Sequence, residues 1–161
     1  APWAITQFPV GGTSLLPLSE QATDEHGLQP NAEIVLCPYT GIDDTPFVLR
    51  KRILVIGSDR ATPTKIGTSL ERGWMSYVRG GLVFTKYARP SPDGRYLDRG
   101  AAAQCYSGPD FVELETLGPV ATLQPGESAE HEELWKVDAI DRGIPPVEVP
   151  DLLDLDGGHP Q

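Results

Sequence analysis

The chain has 161 residues, and its 13 Lys and Arg side chains are outnumbered by 23 Asp and Glu side chains, which gives a formal charge of −10 at pH 7. A chain of this length is expected to fold as one domain around one core. Nucleic acid and anionic membrane surfaces would repel so acidic a protein, so we expect neither as a partner. No apolar run approaches the roughly 20 residues that span a bilayer.

Short apolar runs separated by turn residues predict an all-β domain. The 17 Gly and 16 Pro residues fall between these runs and form no repeat, which is typical of turns that join short strands. In chain order, the predicted strands are Glu33–Cys37, Ile53–Ile56, Trp74–Arg79, Leu82–Tyr87, Phe111–Leu117, Val120–Leu123 and His131–Val137. The only predicted helix is short and lies near Thr68–Arg72. This pattern favours an antiparallel β-sandwich.

Three short sequences are typical of the turns that such a sandwich needs. Gly80-Gly81 joins two predicted strands and suits a primed hairpin turn, in which both central residues have positive φ. The sequences "SPDG" at 91–94 and "QPGES" at 124–128 are further turn signals. Strands on either side of these turns are therefore expected to run antiparallel.

The polar residues 17–29 are predicted to form a surface loop. From residue 138 onward the sequence is acidic, rich in Pro and Gly, and has few residues to bury. We therefore divide the chain into a β-sandwich domain, residues 1–137, and a tail, residues 138–161. The tail is predicted to be extended or disordered, or to pack against a neighbouring chain or domain.

Cys37 and Cys105 are too few for a disulfide framework. Neither has a His or another Cys at zinc-ligand spacing, so no metal site is predicted. No cofactor is predicted either. Two buried free thiols that pack as small hydrophobes are favoured, with a single bridge as the alternative.

The stretch "FVELETLGP" at 111–119 carries the strongest functional signal. Alternate side chains of a strand share a face, so Glu113 and Glu115 lie together while Val112, Leu114 and Thr116 are predicted to face the core. The two glutamates are roughly 6.6 Å apart along the strand, close enough to raise each other's pKa where water is excluded. They are interpreted either as the solvated outer face of a sheet or as carboxylates of a sugar-handling site.

Residues 111–137, "FVELETLGPVATLQPGESAEHEELWKV", resemble the C-terminal end of domains in the galactose mutarotase-like superfamily. The closer resemblance is to an uncharacterised branch of it, one of the domain-of-unknown-function families. The resemblance continues upstream through "WAITQFPVGGTSLLPL" at 3–18, "LQPNAEIVLCPYTGIDD" at 28–44, "TPTKIG" at 62–67 and "GWMSYVRGGLVFTKY" at 73–87. It implies a large antiparallel sandwich whose concave face binds carbohydrate.

The resemblance also implies catalytic roles. In the aldose epimerases of that superfamily, a Leu-Glu-Thr supplies the base that takes the proton from the anomeric hydroxyl, and a His protonates the ring oxygen. Leu114-Glu115-Thr116 matches the first element, whereas Cys37 in Cys37-Pro38-Tyr39-Thr40 occupies the place of the histidine. A thiol with a pKa of about 8.5 is a poorer proton donor than an imidazolium at about 6.5. An epimerase acid–base pair is therefore incomplete.

Lysine is the better substitute for the missing acid. Lys65 and Lys86 both lie in segments that carry the resemblance, and a lysine in a cleft donates a proton or keeps Glu115 ionised. The alternative is that both lysines are solvated. His26, His131 and His159 have polar neighbours and are predicted to be on the surface.

Aromatic rings are the second ingredient of a sugar site, because a pyranose stacks its apolar C–H face on a ring. Trp74 opens a predicted hairpin and is a candidate for the rim of the cleft, and Tyr39 is a further candidate. Trp3, Tyr77 and Trp135 are the remaining candidates, with core packing as the alternative for each tryptophan.

Three hypotheses follow. The leading one is a carbohydrate-binding sandwich whose cleft is formed by Glu113, Glu115, Lys65, Lys86, Trp74 and Tyr39. The second is a sugar-active enzyme, an epimerase or lyase, with Glu115 as base and a lysine as acid; Lys65 is the candidate catalytic lysine. The third is an Ig-like protein-interaction module.

Domains of the superfamily are longer than 161 residues, so the resemblance implies either a reduced sandwich or one that lacks an N-terminal part. A truncated sandwich exposes strand edges and an apolar face. Either a homodimer or docking of the acidic tail would cover them.

Overall fold

A computed structural model describes residues 1–19, 25, 34–37, 40, 47–58 and 61–157. Two antiparallel sheets pack face to face, with strand orders β1-β10-β9-β6-β3 and β11-β8-β7-β2-β5-β4. The strands are β1 (Trp3–Pro9), β2 (Thr13–Pro17), β3 (Val35–Leu36), β4 (Phe47–Arg50), β5 (Ile53–Gly57), β6 (Thr64–Thr68), β7 (Trp74–Arg79), β8 (Leu82–Tyr87), β9 (Ala103–Ser107), β10 (Phe111–Leu117) and β11 (Leu134–Ala139). A 3-10 turn, Pro146–Glu148, leads into the short helix α1, Val149–Leu152. The predicted all-β sandwich is confirmed.

Strands β7, β8 and β10 begin and end at the predicted residues. The turn between β7 and β8 is the predicted primed type, since Gly80 and Gly81 have φ of 62° and 85°. The predicted turns at 91–94 and 124–128 also form, with hydrogen bonds from Gly94 N to Ser91 O and from Glu127 N to Gln124 O. These local signals are therefore sufficient to define the hairpin and the turns.

Two of the predicted secondary-structure elements do not form. Val120–Leu123 forms no strand, because Pro119 and the turn that begins at Gln124 leave only a short segment, and none of the described strands pairs with it. No helix forms near Thr68–Arg72, because β6 continues to Thr68 and Leu70 then adopts a φ of 59°. A bond from Gly73 N to Leu70 O closes a tight turn there instead.

The main core lies between the sheets and contains fully buried side chains such as Leu54, Ile66, Met75, Val112 and Leu114. Every second residue of β10 points into it, as the alternation predicted. Apolar burial of this kind is the dominant stabilising contribution to a sandwich.

A second cluster lies on the other face of the six-stranded sheet. Trp74 is its largest member, and the C-terminal segment contributes the buried Val149 and Leu155. The Trp74 indole Nε1 donates to Asp156 Oδ1 at 2.8 Å. Part of the segment that the sequence assigned to an acidic tail therefore packs on the sandwich of its own chain.

Cys37 and Cys105 are both free thiols. Cys105 lies in the main core beside Ile66, where burial raises the pKa of its thiol to about 12. Cys37 is only half-buried, and its N–H bonds to Lys65 O at the margin of the sheet. Within the part of the chain that the structure describes, no helix is both long enough and apolar enough to cross a membrane.

Candidate functional site

Glu115 lies on the outer face of the five-stranded sheet, away from the main core. Strand β10 runs between β1 and β9, and its register places Glu115 beside Ile5 and Gln104. Although this face is directed away from the core, the Glu115 side chain is fully buried. The interpretation as a wholly solvated face therefore does not fit Glu115.

Trp3 and Lys65 enclose the Glu115 carboxylate. Lys65 Nζ in β6 lies 2.7 Å from Glu115 Oε2, and the Trp3 indole Nε1 in β1 donates to the same oxygen at 3.0 Å. The Lys65 ammonium also lies 5.1 Å from the centroid of the Trp3 ring, a cation–π contact. Trp3 itself is 57% exposed. An exposed indole is thus anchored beside a buried carboxylate–ammonium pair, which we call the Glu115 site.

Burial raises the pKa of the Glu115 carboxyl, because a low-dielectric environment disfavours the charged form. The hydrogen bond and the charge of Lys65 act in the opposite direction but do not outweigh it, and the neighbouring Glu113 adds to the increase. Glu115 Oε1 is buried and has no hydrogen-bond partner among the described residues. A buried acceptor without a donor is costly, so the Glu115 carboxylate is only partly satisfied by the described residues.

Glu113 extends the site along the strand. Gln7 Nε2 in β1 donates to Glu113 Oε1 at 2.9 Å, in an exposed contact. The register places Tyr106 of β9 on its other side. Amide, carboxylate and phenol groups thus continue from the Glu115 site toward the end of β1.

The structure brings Glu113, Glu115 and Lys65 together and places Lys86 elsewhere. Lys86 is fully buried on the inner face of β8. Its Nζ donates to Leu114 O at 3.1 Å, so it reaches β10 from the side opposite to Glu115. Lys86 therefore does not border the Glu115 site.

Of the predicted aromatic residues, the structure places Trp3 at the Glu115 site and Trp74 elsewhere. Trp74 is fully buried beneath the C-terminal segment, on the other sheet. Tyr39 lies outside the described residues. The aromatic ring at the site is that of Trp3. The sequence left two interpretations of Trp3 open, a sugar-binding ring or a ring packed in the core. Its spacing with Ile5 and Gln7, at every second position of β1, was the signal for an outward-facing row.

The sequence also left unrecognised a buried polar network that surrounds Lys86. Lys86 Nζ lies 2.6 Å from Glu133 Oε1 and 3.1 Å from Thr6 Oγ1. Glu133 receives further hydrogen bonds from the Thr116 hydroxyl and from Trp135 Nε1, the latter at 2.9 Å. This Lys86 network connects β1, β8 and β10 to the residues that lead into β11.

His131 is attached to the network through Thr116. Its Nε2 lies 2.7 Å from Thr116 Oγ1. Because the Thr116 hydroxyl donates its proton to Glu133, it must accept from His131, which requires the tautomer protonated at Nε2. A cleft of about 1220 Å³, lined by residues 87–89, 91, 119 and 130–134, adjoins this part of the chain. None of Glu113, Glu115 and Lys65 lines it.

The ionisation of the network follows from its burial and its pairing. Burial opposes ionisation of Glu133, but the hydrogen bonds from Lys86, Thr116 and Trp135 outweigh it and lower the carboxyl pKa. Burial lowers the pKa of Lys86, although the bond to Glu133 counteracts it. Burial also lowers the pKa of His131. The positive charge of Lys86 lowers it further, and the negative charge of Glu133 raises it but does not outweigh the other two effects.

His131 is expected to make stability dependent on pH near neutrality. Its pKa in the folded state lies below the ordinary 6.5, so the unfolded chain binds more protons in the window between the two values. Stability therefore rises with pH across this window and is lost as pH falls through it. Denaturant titrations from about pH 5 to about pH 7.5 should show this rise in the wild type.

The variant His131→Gln retains an N–H donor for Thr116 but does not titrate. We expect its free energy of unfolding to change less over the same pH range. An unchanged slope would show that another group causes the dependence.

No family model, no curated protein and no solved structure matches this chain. Within the described ranges, no group of three or more His, Cys, Asp or Glu side chains is arranged to hold a metal ion. The geometry of the Glu115 site is therefore the basis for a functional proposal.

Proposed function

We propose that this protein is a carbohydrate-binding β-sandwich and that the sugar lies on the outer face of the five-stranded sheet, over Trp3. One observation carries the proposal: an exposed indole is held against the buried pair of Glu115 and Lys65. The resemblance to the galactose mutarotase-like superfamily supports the same choice of face, since it assigns the ligand to Glu115.

The chemistry of a pyranose fits these groups. Its apolar C–H face requires a flat apolar surface, which the exposed ring of Trp3 provides. Its hydroxyl groups require acceptors and donors, and the exposed pair of Gln7 and Glu113 provides them. Because the bond to Glu115 already orients the indole, little conformational entropy is lost when a sugar binds.

A sugar-active enzyme is the second candidate, and a specific observation favours it. A carboxyl whose pKa is raised by burial is a better proton acceptor at neutral pH than an ordinary one, and an ammonium lies 2.7 Å from it. Glu115 would take the proton of the anomeric hydroxyl, and Lys65 would supply a proton to the ring oxygen as the ring opens.

The binding proposal is tested by a glycan array followed by calorimetry on the neutral sugars that it identifies. We expect Trp3→Ala to weaken binding by about tenfold or more, which corresponds to about 1.4 kcal/mol. The matched control is Trp135→Ala, since Trp135 is equally exposed but lies on the other sheet. An equal loss of sugar affinity in both variants would contradict the proposal. A glycan array without hits, together with the isolation of a stable protein partner, would contradict it as well.

Glu115→Gln separates the two candidates, because the amide has the shape of the carboxyl but cannot serve as base. A binding protein should retain most of its affinity in this variant. An enzyme should retain sugar binding and lose turnover, and Lys65→Met should lose turnover as well. Mutarotation measured by polarimetry provides the second readout.

A further inference from the structure

Strand β11 is a long open edge of the six-stranded sheet. Among the described strands it pairs with β8 alone, and five of its six residues are exposed. Trp135 and Val137 are 58% and 64% exposed, although they lie opposite Lys86 and Phe84, whose side chains face the inter-sheet space. Apolar side chains that face the inside of a sandwich but remain exposed indicate an uncovered surface.

In the part of the chain that the structure describes, one side of the β11 backbone also lacks a partner strand. Ile140, which follows β11, directs its N–H toward β8 and bonds to Gly81 O. Backbone direction alternates along a strand, so the residues two, four and six positions before Ile140 also direct their N–H and C=O groups toward β8. Trp135, Val137 and Ala139 therefore direct theirs away from β8, toward the open edge. Among the described residues no strand receives them. An open row of this kind is a template for another strand.

We propose that the occupant of this edge is a second copy of the same chain, paired antiparallel through β11 with Val137 opposite Val137 of the copy. A two-fold axis at Val137 then places Trp135 opposite the copy's Ala139. Trp135, Val137 and Ala139 are the residues whose N–H and C=O groups point away from β8. In this register all of these groups form hydrogen bonds with the copy. The result is one continuous sheet of twelve strands across the two copies, since each contributes six.

Charge complementarity supports a second copy over another partner. Lys136 and Asp138 alternate with the apolar residues on the other face of β11, where their side chains form a 3.1 Å ion pair. In the proposed register each Lys136 lies opposite the copy's Asp138, so two cross-strand ion pairs form in addition to those within each chain.

Charged residues on edge strands usually prevent such pairing. Here Lys136 and Asp138 lie on either side of Val137 and have opposite charges. When two copies pair antiparallel about Val137, each charge meets its opposite, so the charges favour this one register. The formal charge of −10 on each chain opposes association at long range. Physiological salt screens that repulsion beyond roughly 8 Å but leaves the adjacent pairs.

Sedimentation equilibrium of the wild type over a wide concentration series should show a monomer–dimer equilibrium. Lys136→Asp and Asp138→Lys should each weaken the dimer by about tenfold or more, because each places two like-charged pairs across the interface. The double variant Lys136→Asp/Asp138→Lys should recover the dimer, because it restores both cross-strand pairs in reverse. Thermal melting of every variant would establish that it remains folded.

Val137→Asp tests the apolar centre of the interface and should also abolish the dimer. The matched control is Val48→Asp, since Val48 is an exposed apolar residue on β4, the other edge of the same sheet. A wild type that stays monomeric at every concentration would overturn the proposal. Failure of the double charge variant to recover the dimer, or equal loss of the dimer in Val48→Asp, would overturn it as well.

Discussion

Replacing Lys86 with methionine is expected to destabilise the protein by about 3–5 kcal/mol. Lys86 is fully buried, and its partner Glu133 is almost as deeply buried. Methionine has a similar size but no charge, so the variant leaves the Glu133 carboxylate between the sheets with only neutral donors. An uncompensated buried charge is among the largest costs that one substitution produces.

Guanidinium denaturation at pH 7 measures this effect, and two further variants determine its cause. The double variant Lys86→Met/Glu133→Gln should recover much of the lost stability, because it removes the unpaired charge as well. Lys51→Met should change stability far less, since the Lys51–Asp151 pair is 59% and 68% exposed and water screens its charges. Equal losses in the single and double variants at Lys86 would refute charge burial as the cause.

Trp74→Ala is expected to destabilise the protein by a comparable amount, about 3–5 kcal/mol. The substitution removes the largest fully buried side chain and leaves a cavity under the C-terminal segment. It also removes the hydrogen bond to Asp156 that holds this segment on the sheet. Residues 140–157 should therefore become more susceptible to limited proteolysis, in addition to the lower stability.

Trp3→Ala is the control for this prediction. Trp3 is more than half exposed, so its removal leaves no cavity and should cost much less stability. The two tryptophans are thus expected to separate stability from sugar binding. Loss of stability in Trp3→Ala equal to that in Trp74→Ala would contradict the assignment of the two clusters.

The strands that the sequence predicted correctly differ from those that it missed. "WMSYVR" and "LVFTKY" are rich in aromatic and β-branched residues, and the Gly80-Gly81 turn between them sets their register. "TKIGT" of β6 and "AQCYS" of β9 contain small and polar residues with little intrinsic preference for strands. They are strands because β9 lies between β6 and β10 and its backbone groups must be paired on both sides.

The candidate site shows the same division. Alternation along β10 placed Glu113 and Glu115 on one face, the resemblance selected Glu115, and Lys65 and Lys86 were both candidates for its partner. Lys65 lies within hydrogen-bond distance of Glu115 because β6, β9 and β10 are consecutive strands of one sheet. Lys86 belongs to the other sheet and does not reach Glu115. Trp3 and Glu115 are far apart in the chain and meet only because β1 pairs with β10.

What the sequence determined by itself is local: the all-β class, the hairpin, the turns, and the face of β10 that each side chain occupies. Side chains alternate along any extended strand, so these properties follow from backbone geometry within a few residues. Only the tertiary structure decided that Glu115 is buried beside Lys65 and Trp3, that Lys86 is paired with Glu133, and that part of the acidic tail covers Trp74. Burial and ion pairing depend on which strands are neighbours, and strand order arises from contacts between residues that are distant in sequence.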